Sequence, residues 1–149
     1  MKANQRVPWP LVLAAVAPLS AVVSGCSRPV AETLLDEAMV VQAGKLQGVM
    51  FSVDTAKMKH VVVEGSFTAR GGPDDAVTAM IMEEADYLAW RNQLRGNAIY
   101  TAAQKPGGTF RVPIRRSGRY YLVFANHLSV FMDRKIRAHA VLRYDKVLL

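Results

Sequence analysis

The residues best suited to chemistry are few and scattered. The three histidines, His60, His127 and His139, are separated by 67 and 12 positions, and none stands at the short spacing a metal site uses. His139 lies between Ala138 and Ala140 in an alternating run, facing away from its apolar side, and His60 opens another such run. Both read as strand residues rather than ligands or bases. Asp74 and Asp75, with Glu83, Glu84 and Asp86, would offer oxygen ligands to calcium if their two segments met at one edge of the fold. They form no EF-hand loop, and paired acids in turns are generally solvated. The same carboxylates would serve a glycosidase only at a defined separation, which spacing along the chain does not set. The sequence holds no Gly-x-Ser-x-Gly, no Ser-x-x-Lys beside a supporting motif, no glycine-rich phosphate loop and no His-Glu-x-x-His. It therefore predicts no catalytic residue, no metal and no cofactor.

The strongest surface candidate is basic. Arg111, Arg115, Arg116 and Arg119 are followed by Arg134, Lys135 and Arg137. If the strands carrying them are antiparallel neighbours, Arg115, Arg116, Arg119, Arg134, Lys135 and Arg137 make one patch for an anionic surface. The plainer reading is a solvated strand face whose arginine stems cover apolar surface.

The elements that position these residues begin with a leader. Lys2 and Arg6 precede a mostly apolar run from Val7 to Val23 that ends in small residues, the three-part pattern of a secretory signal that is cleaved rather than folded. Pro8, Pro10 and Pro18 argue against a membrane-spanning helix, since each removes a helical hydrogen bond and clashes with the preceding turn. The run closes on Val23-Ser24-Gly25-Cys26, which contains the only cysteine. That tetrad resembles the lipobox of bacterial lipoproteins. The resemblance implies cleavage before Cys26, diacylglyceryl transfer to its sulfur and acylation of its new amino group. It also implies a membrane partner reached through those chains, and a cell-envelope location with Ser27 favouring the periplasmic side of an outer membrane. Several chains are needed, because each buried methylene contributes about 0.8 kcal/mol and one myristoyl-sized chain anchors only marginally. The alternative is an ordinary signal peptide that happens to carry a cysteine.

Loss of Lys2 and Arg6 leaves 17 of the 19 basic residues against 12 acids, a net charge of +5 compared with +7 for the whole chain. That balance favours acidic neighbours such as phospholipid headgroups over nucleic acid, which an exported domain seldom meets. Without a second cysteine no internal disulfide forms, so packing alone must hold the core. Residues 26–149 are enough for one domain and not for two.

Residues 26–37 read as a tether, either extended or partly helical through Leu34, Leu35, Ala38 and Met39. From Met39 the period becomes two, and residues 38–149 read as an all-β, single antiparallel β-sandwich of about eight strands, jelly-roll or similar. The expected strands are Met39–Gln42, Leu46–Val53, Lys59–Ala69, Val77–Glu83, Ala98–Ala102, Thr109–Ile114, Gly118–Asn126 and Lys135–Tyr144. One short helix or crossover falls at Asp86–Leu94, with Asp86 as its cap. Val61, Val63, Gly65 and Phe67 share one face, as do Tyr120, Leu122 and Phe124, and as do Ile136, Ala138, Ala140, Leu142 and Tyr144. Asn126 falls where the chain must bend, at His127-Leu128-Ser129, and reads as structural. Gly118, Tyr120, Phe124, Asn126, Ser129 and Lys135 together resemble the end of GOLD-type (Golgi dynamics) β-sandwich domains. The resemblance covers about the last 30 residues and implies a non-enzymatic sandwich used for interaction. Val123 stands where that family often has a disulfide cysteine.

The function expected from these readings is a lipid-anchored, non-catalytic envelope domain that binds a protein, a glycan or an anionic lipid headgroup. Two alternatives are a small envelope hydrolase with a site assembled from distant residues such as His127, Asp133 and Glu84, and a structural accessory subunit of an envelope complex.

Overall fold

Alternating apolar runs set out the strands, because a strand with one wet face needs a period of two and each reversal needs a turn residue. The computed structural model describes residues 25–72 and 74–148. The expected signal peptide therefore lies outside the described residues, but for Gly25. The strands are β1 (Ser27–Val41), β2 (Leu46–Val53), β3 (Met58–Arg70), β4 (Val77–Glu83), β5 (Ala98–Lys105), β6 (Gly107–Pro113), β7 (Gly118–Ala125) and β8 (Arg134–Val147). One helix, α1 (Glu84–Arg91), joins β4 to β5.

Two four-stranded antiparallel sheets result, ordered β1-β8-β3-β6 and β2-β7-β4-β5. Because β1 pairs with β8, β2 with β7, β3 with β6 and β4 with β5, the chain is one long hairpin of four strand pairs. It doubles back at α1 and is rolled so that successive pairs alternate between sheets, the jelly-roll form of the sandwich. The inner faces interdigitate through Phe51, Val63, Phe67, Ile81, Leu122, Phe124, Ile136 and Leu142, all buried. Phe67 and Phe124 meet at 5.7 Å between ring centroids, and Phe51 stacks on Tyr120 at 5.6 Å. The faces expected for β3, β7 and β8 are the ones found. Gly65 lets β3 pass this closely, since a Cβ there would collide with the backbone of His139 and Ala140.

The two sheets differ on their outer faces. α1 lies on the β2 sheet, where Tyr87 stacks on Tyr121 at 3.9 Å and closes a second cluster with Met80, Met82, Val123 and Ala125. This is why six consecutive residues of β4, Val77 to Met82, are all buried. Asp86 does not cap α1. The cap position is Glu83, in extended geometry and without a side-chain cap bond, and the Asp86 carboxylate instead accepts from the Asn97 N–H at 3.0 Å.

The tether expected at residues 26–37 is a strand. Ser27 to Glu37 belong to β1 and pair with β8 as far as Val147, and the Leu148 N–H donates to the Cys26 carbonyl at 3.0 Å. Two features hid this. Ser27 to Thr33 are exposed apart from half-buried Val30, so no alternation marks them. A bulge between Thr33 and Leu35 breaks the register and brings Leu34 and Leu35 both against the core. Pro29 is tolerated because β1 is an edge strand.

The molecule thus has two ends. One carries Cys26, Leu148 and the turns at 54–57 and 114–117. The other carries the turns at 42–45 and 105–107, the segments at 70–72 and 74–76 and the loop at 126–133. The 15 residues of β1 put about 45 Å between them at the rise of a strand.

Candidate functional site

At its own end Cys26 is exposed and directly precedes β1. Around it the acids are taken up by neighbouring bases. Lys57 pairs with Asp54 at 3.4 Å, His60 with Asp145 at 2.8 Å, Arg116 with Glu83 at 2.8 Å and Arg119 with Glu84 at 2.8 Å. Tyr120 donates to the Arg116 carbonyl at 2.7 Å, and burial, with Glu83 adding to it, raises its hydroxyl above the ordinary tyrosine range. Arg28, Arg115 and Lys146 form no ion pair with another described residue, so this end is net cationic and polar. A shallow depression of about 500 Å³ lined by Thr55, Lys59, His60, Arg111 and Arg115 opens here.

The six-residue basic patch does not assemble. It requires the last two strands to pair, but β7 pairs with β2 and β4 while β8 pairs with β1 and β3, in the other sheet. Arg115, Arg116 and Arg119 flank the β6–β7 turn at the Cys26 end, while Arg134, Lys135 and Arg137 open β8 at the far end. Arg134 is moreover not a surface residue. Its guanidinium is buried, donating to the Ala76 carbonyl at 2.9 Å and to Asp74 at 3.2 Å. Arg137 pairs with Asp36 at 2.9 Å. On the same outer face Glu64 takes both Arg111, at 2.7 Å, and Arg143. Those hydrogen bonds, Arg143 first, hold its carboxyl below the usual glutamate range.

The acids considered for calcium or glycoside chemistry are separated by the length of β4. Asp74 and Asp75 lie before it, where Asp74 holds Arg134 and Asp75 accepts from the Gly71 N–H at 2.6 Å. Glu83 and Glu84 lie after it, each against an arginine. Seven residues of strand put roughly 20 Å between the two groups. His127, Asp133 and Glu84 are likewise held apart: His127 meets the Trp90 ring edge-on at 5.7 Å, Asp133 accepts from the Ala43 N–H at 3.0 Å, and Glu84 holds Arg119. His139 faces outward beside Asp36, at 3.8 Å.

Sequence reasoning passed over the loop at 126–133 as a bend. Asn126 is its buried root, donating through Nδ2 to the Val41 carbonyl at 3.1 Å and the Met132 carbonyl at 2.8 Å. Its backbone also bonds Lys45 and Gly44, the latter at a φ of +70° that glycine adopts without strain. Ser129 then closes the loop on Met132, donating to its carbonyl at 2.8 Å and accepting from its N–H at 3.2 Å. At the apex Leu128, Val130 and Phe131 are 66%, 75% and 92% exposed. The signal was present in the sequence as five residues, Leu128 to Met132, of which four are apolar. Compared with known proteins, the chain matches no family model and no curated protein.

Proposed function

We propose that this chain is a lipid-anchored envelope protein whose sandwich binds another envelope component without catalysing a reaction. The observation that carries this reading is the placement of Cys26. It is the residue the lipobox resemblance singles out, and it is exposed at the head of β1 on a cationic end suited to anionic headgroups. With β1 beginning at Ser27, acyl chains on Cys26 would hold the sandwich against the bilayer with no spacer between them. The resemblance of about the last 30 residues to GOLD-type domains accords with a binding role.

The test is metabolic labelling with a clickable fatty acid. Wild-type protein takes up label and fractionates with membranes; Cys26→Ala takes up none and is released from membranes or retained as precursor. Wild-type protein that acquires no label sinks the reading.

A further inference from the structure

We infer that the loop at 127–133 is a second membrane foothold, which inserts Val130 and Phe131 into the interface of an anionic lipid surface. The inference goes beyond the anchor reading, because it rests on residues about 45 Å from Cys26 along β1.

Three observations carry it. First, the apex is held outward rather than left loose. Asn126 bonds the root on both sides and the Ser129–Met132 pair closes the ring, so Leu128, Val130 and Phe131 cannot fold back onto the core. Such a protruding apolar tip matches the shallow interfacial burial of amphipathic membrane segments, where aromatic rings settle at headgroup level.

Second, the end of the sandwich that carries the tip is cationic. Lys45, Arg70, Lys105 and Lys135 are all exposed at this end, and none forms an ion pair with another described residue. Three acids share this end, Asp74 paired with Arg134 and Asp133 and Asp75 accepting the Ala43 and Gly71 N–H groups; with Arg134 the bases number five against these three, which leaves the end net cationic. An apolar tip on a cationic end complements an anionic bilayer, whose surface potential attracts lysine and arginine.

Third, the outer face of the β1 sheet, which joins the two ends, carries no helix and presents Arg70, Arg111, Lys135, Arg137 and Arg143 against Asp36 and Glu64. With Cys26 and the tip both engaged, the domain would lie along the bilayer on this face rather than stand on one end.

The experiment uses the chain from Ser27 to Leu149, which contains all eight strands and both apolar clusters and lacks Cys26, so the acyl anchor cannot contribute. It also lacks any cysteine, so Phe131→Cys gives a unique site for an environment-sensitive dye, with Ser52→Cys, exposed on β2 of the other sheet, as control. Vesicles of phosphatidylethanolamine and phosphatidylglycerol are compared with phosphatidylcholine alone. The expected result is a blue shift of the dye at 131 on anionic vesicles only, larger than at 52. Val130→Ser with Phe131→Ser should lower vesicle binding about tenfold or more at unchanged thermal midpoint, since both side chains are exposed. Lys45→Glu with Lys135→Glu should also lower it, most at low salt, with the difference from wild type shrinking as salt screens the charges. An unshifted dye at 131, or binding by the serine variant equal to wild type, overturns the inference. So would a photoreactive residue at 131 of the full chain in cells that yields protein adducts and no phospholipid adduct. Absence of fatty-acid label on Cys26 leaves all of these results standing, so the two readings fail separately.

Discussion

The two ends of the sandwich belong to the same strands yet are held by different physics. At the Cys26 end the polar groups meet on the surface: Glu83 with Arg116, Glu84 with Arg119, Asp54 with Lys57, and the hydroxyls of Thr55 and Ser117 at 2.9 Å. At the far end they meet inside, where the Asn126 amide and the Arg134 guanidinium bond carbonyls of Val41, Ala76 and Met132. Exposed ion pairs contribute little because water screens them and long side chains lose freedom in forming them. A buried donor is different: removing it strands acceptors that water cannot reach. The far end can therefore hold four apolar residues outward on one loop, while the Cys26 end remains polar.

Both ends depend first on the shared core. Phe124→Ala empties a buried aromatic position between the sheets and should cost about 3 to 5 kcal/mol, out of a total stability of about 5 to 15 kcal/mol for a domain. Tyr121→Ala, half-buried under Tyr87, should cost less. Equal urea midpoints for the two variants would contradict the assignment of faces along β7.

The sharpest test of the contrast is Asn126→Ala, expected to cost about 1 to 3 kcal/mol through one buried and one partly buried hydrogen bond. Amide exchange should quicken at 42–45 and 127–133 and stay slow on β7 next to Gly118. Uniform acceleration across the molecule would show that Asn126 supports the whole fold rather than one end. The matching change at the other end, Glu83→Gln with Glu84→Gln, breaks two exposed pairs and should cost less than about 1 kcal/mol. A loss as large as that of Asn126→Ala would erase the distinction between the ends.

The smallest effect lies on the β1-sheet face between them. Arg143 and Arg111 hold the Glu64 carboxyl below its ordinary range, so its folded value lies below its unfolded one. Its contribution to stability is then fully present above the unfolded value and is lost as pH falls through the folded value. Glu64→Gln should flatten that part of the acid limb of a thermal-midpoint profile and change little at neutral pH. An unchanged acid limb would mean that the pair makes no net contribution.

Much of this architecture was legible in the sequence. Six of the eight strands begin within one residue of the positions their apolar period predicts and β6 begins two earlier, because a single buried face imposes alternation directly on residue type. β1 was the exception, and its exposed first half shows why: with neither face buried, there is no period to read. Asn126 was legible as structural, since only a short polar side chain at such a bend can serve backbone groups on both sides. The basic patch was not legible. Whether Arg119 and Lys135 are neighbours depends on which sheet each strand joins, and neither residue type nor spacing encodes that choice.

By itself the sequence determined the strand periods, the faces they bury, the turns between them and the placement of a lone cysteine after an apolar run. These are local consequences of side-chain type and backbone freedom. Only the tertiary structure decided the rest: that β7 and β8 part into different sheets, that β1 replaces a tether, that Arg134 is buried, and that the tip at Phe131 stands a strand's length from Cys26. Those facts follow from pairing between residues up to a hundred or so positions apart, as between Ser27 and Val147. Pairing of that kind is selected by how whole sheets close over a common core, not by any one segment.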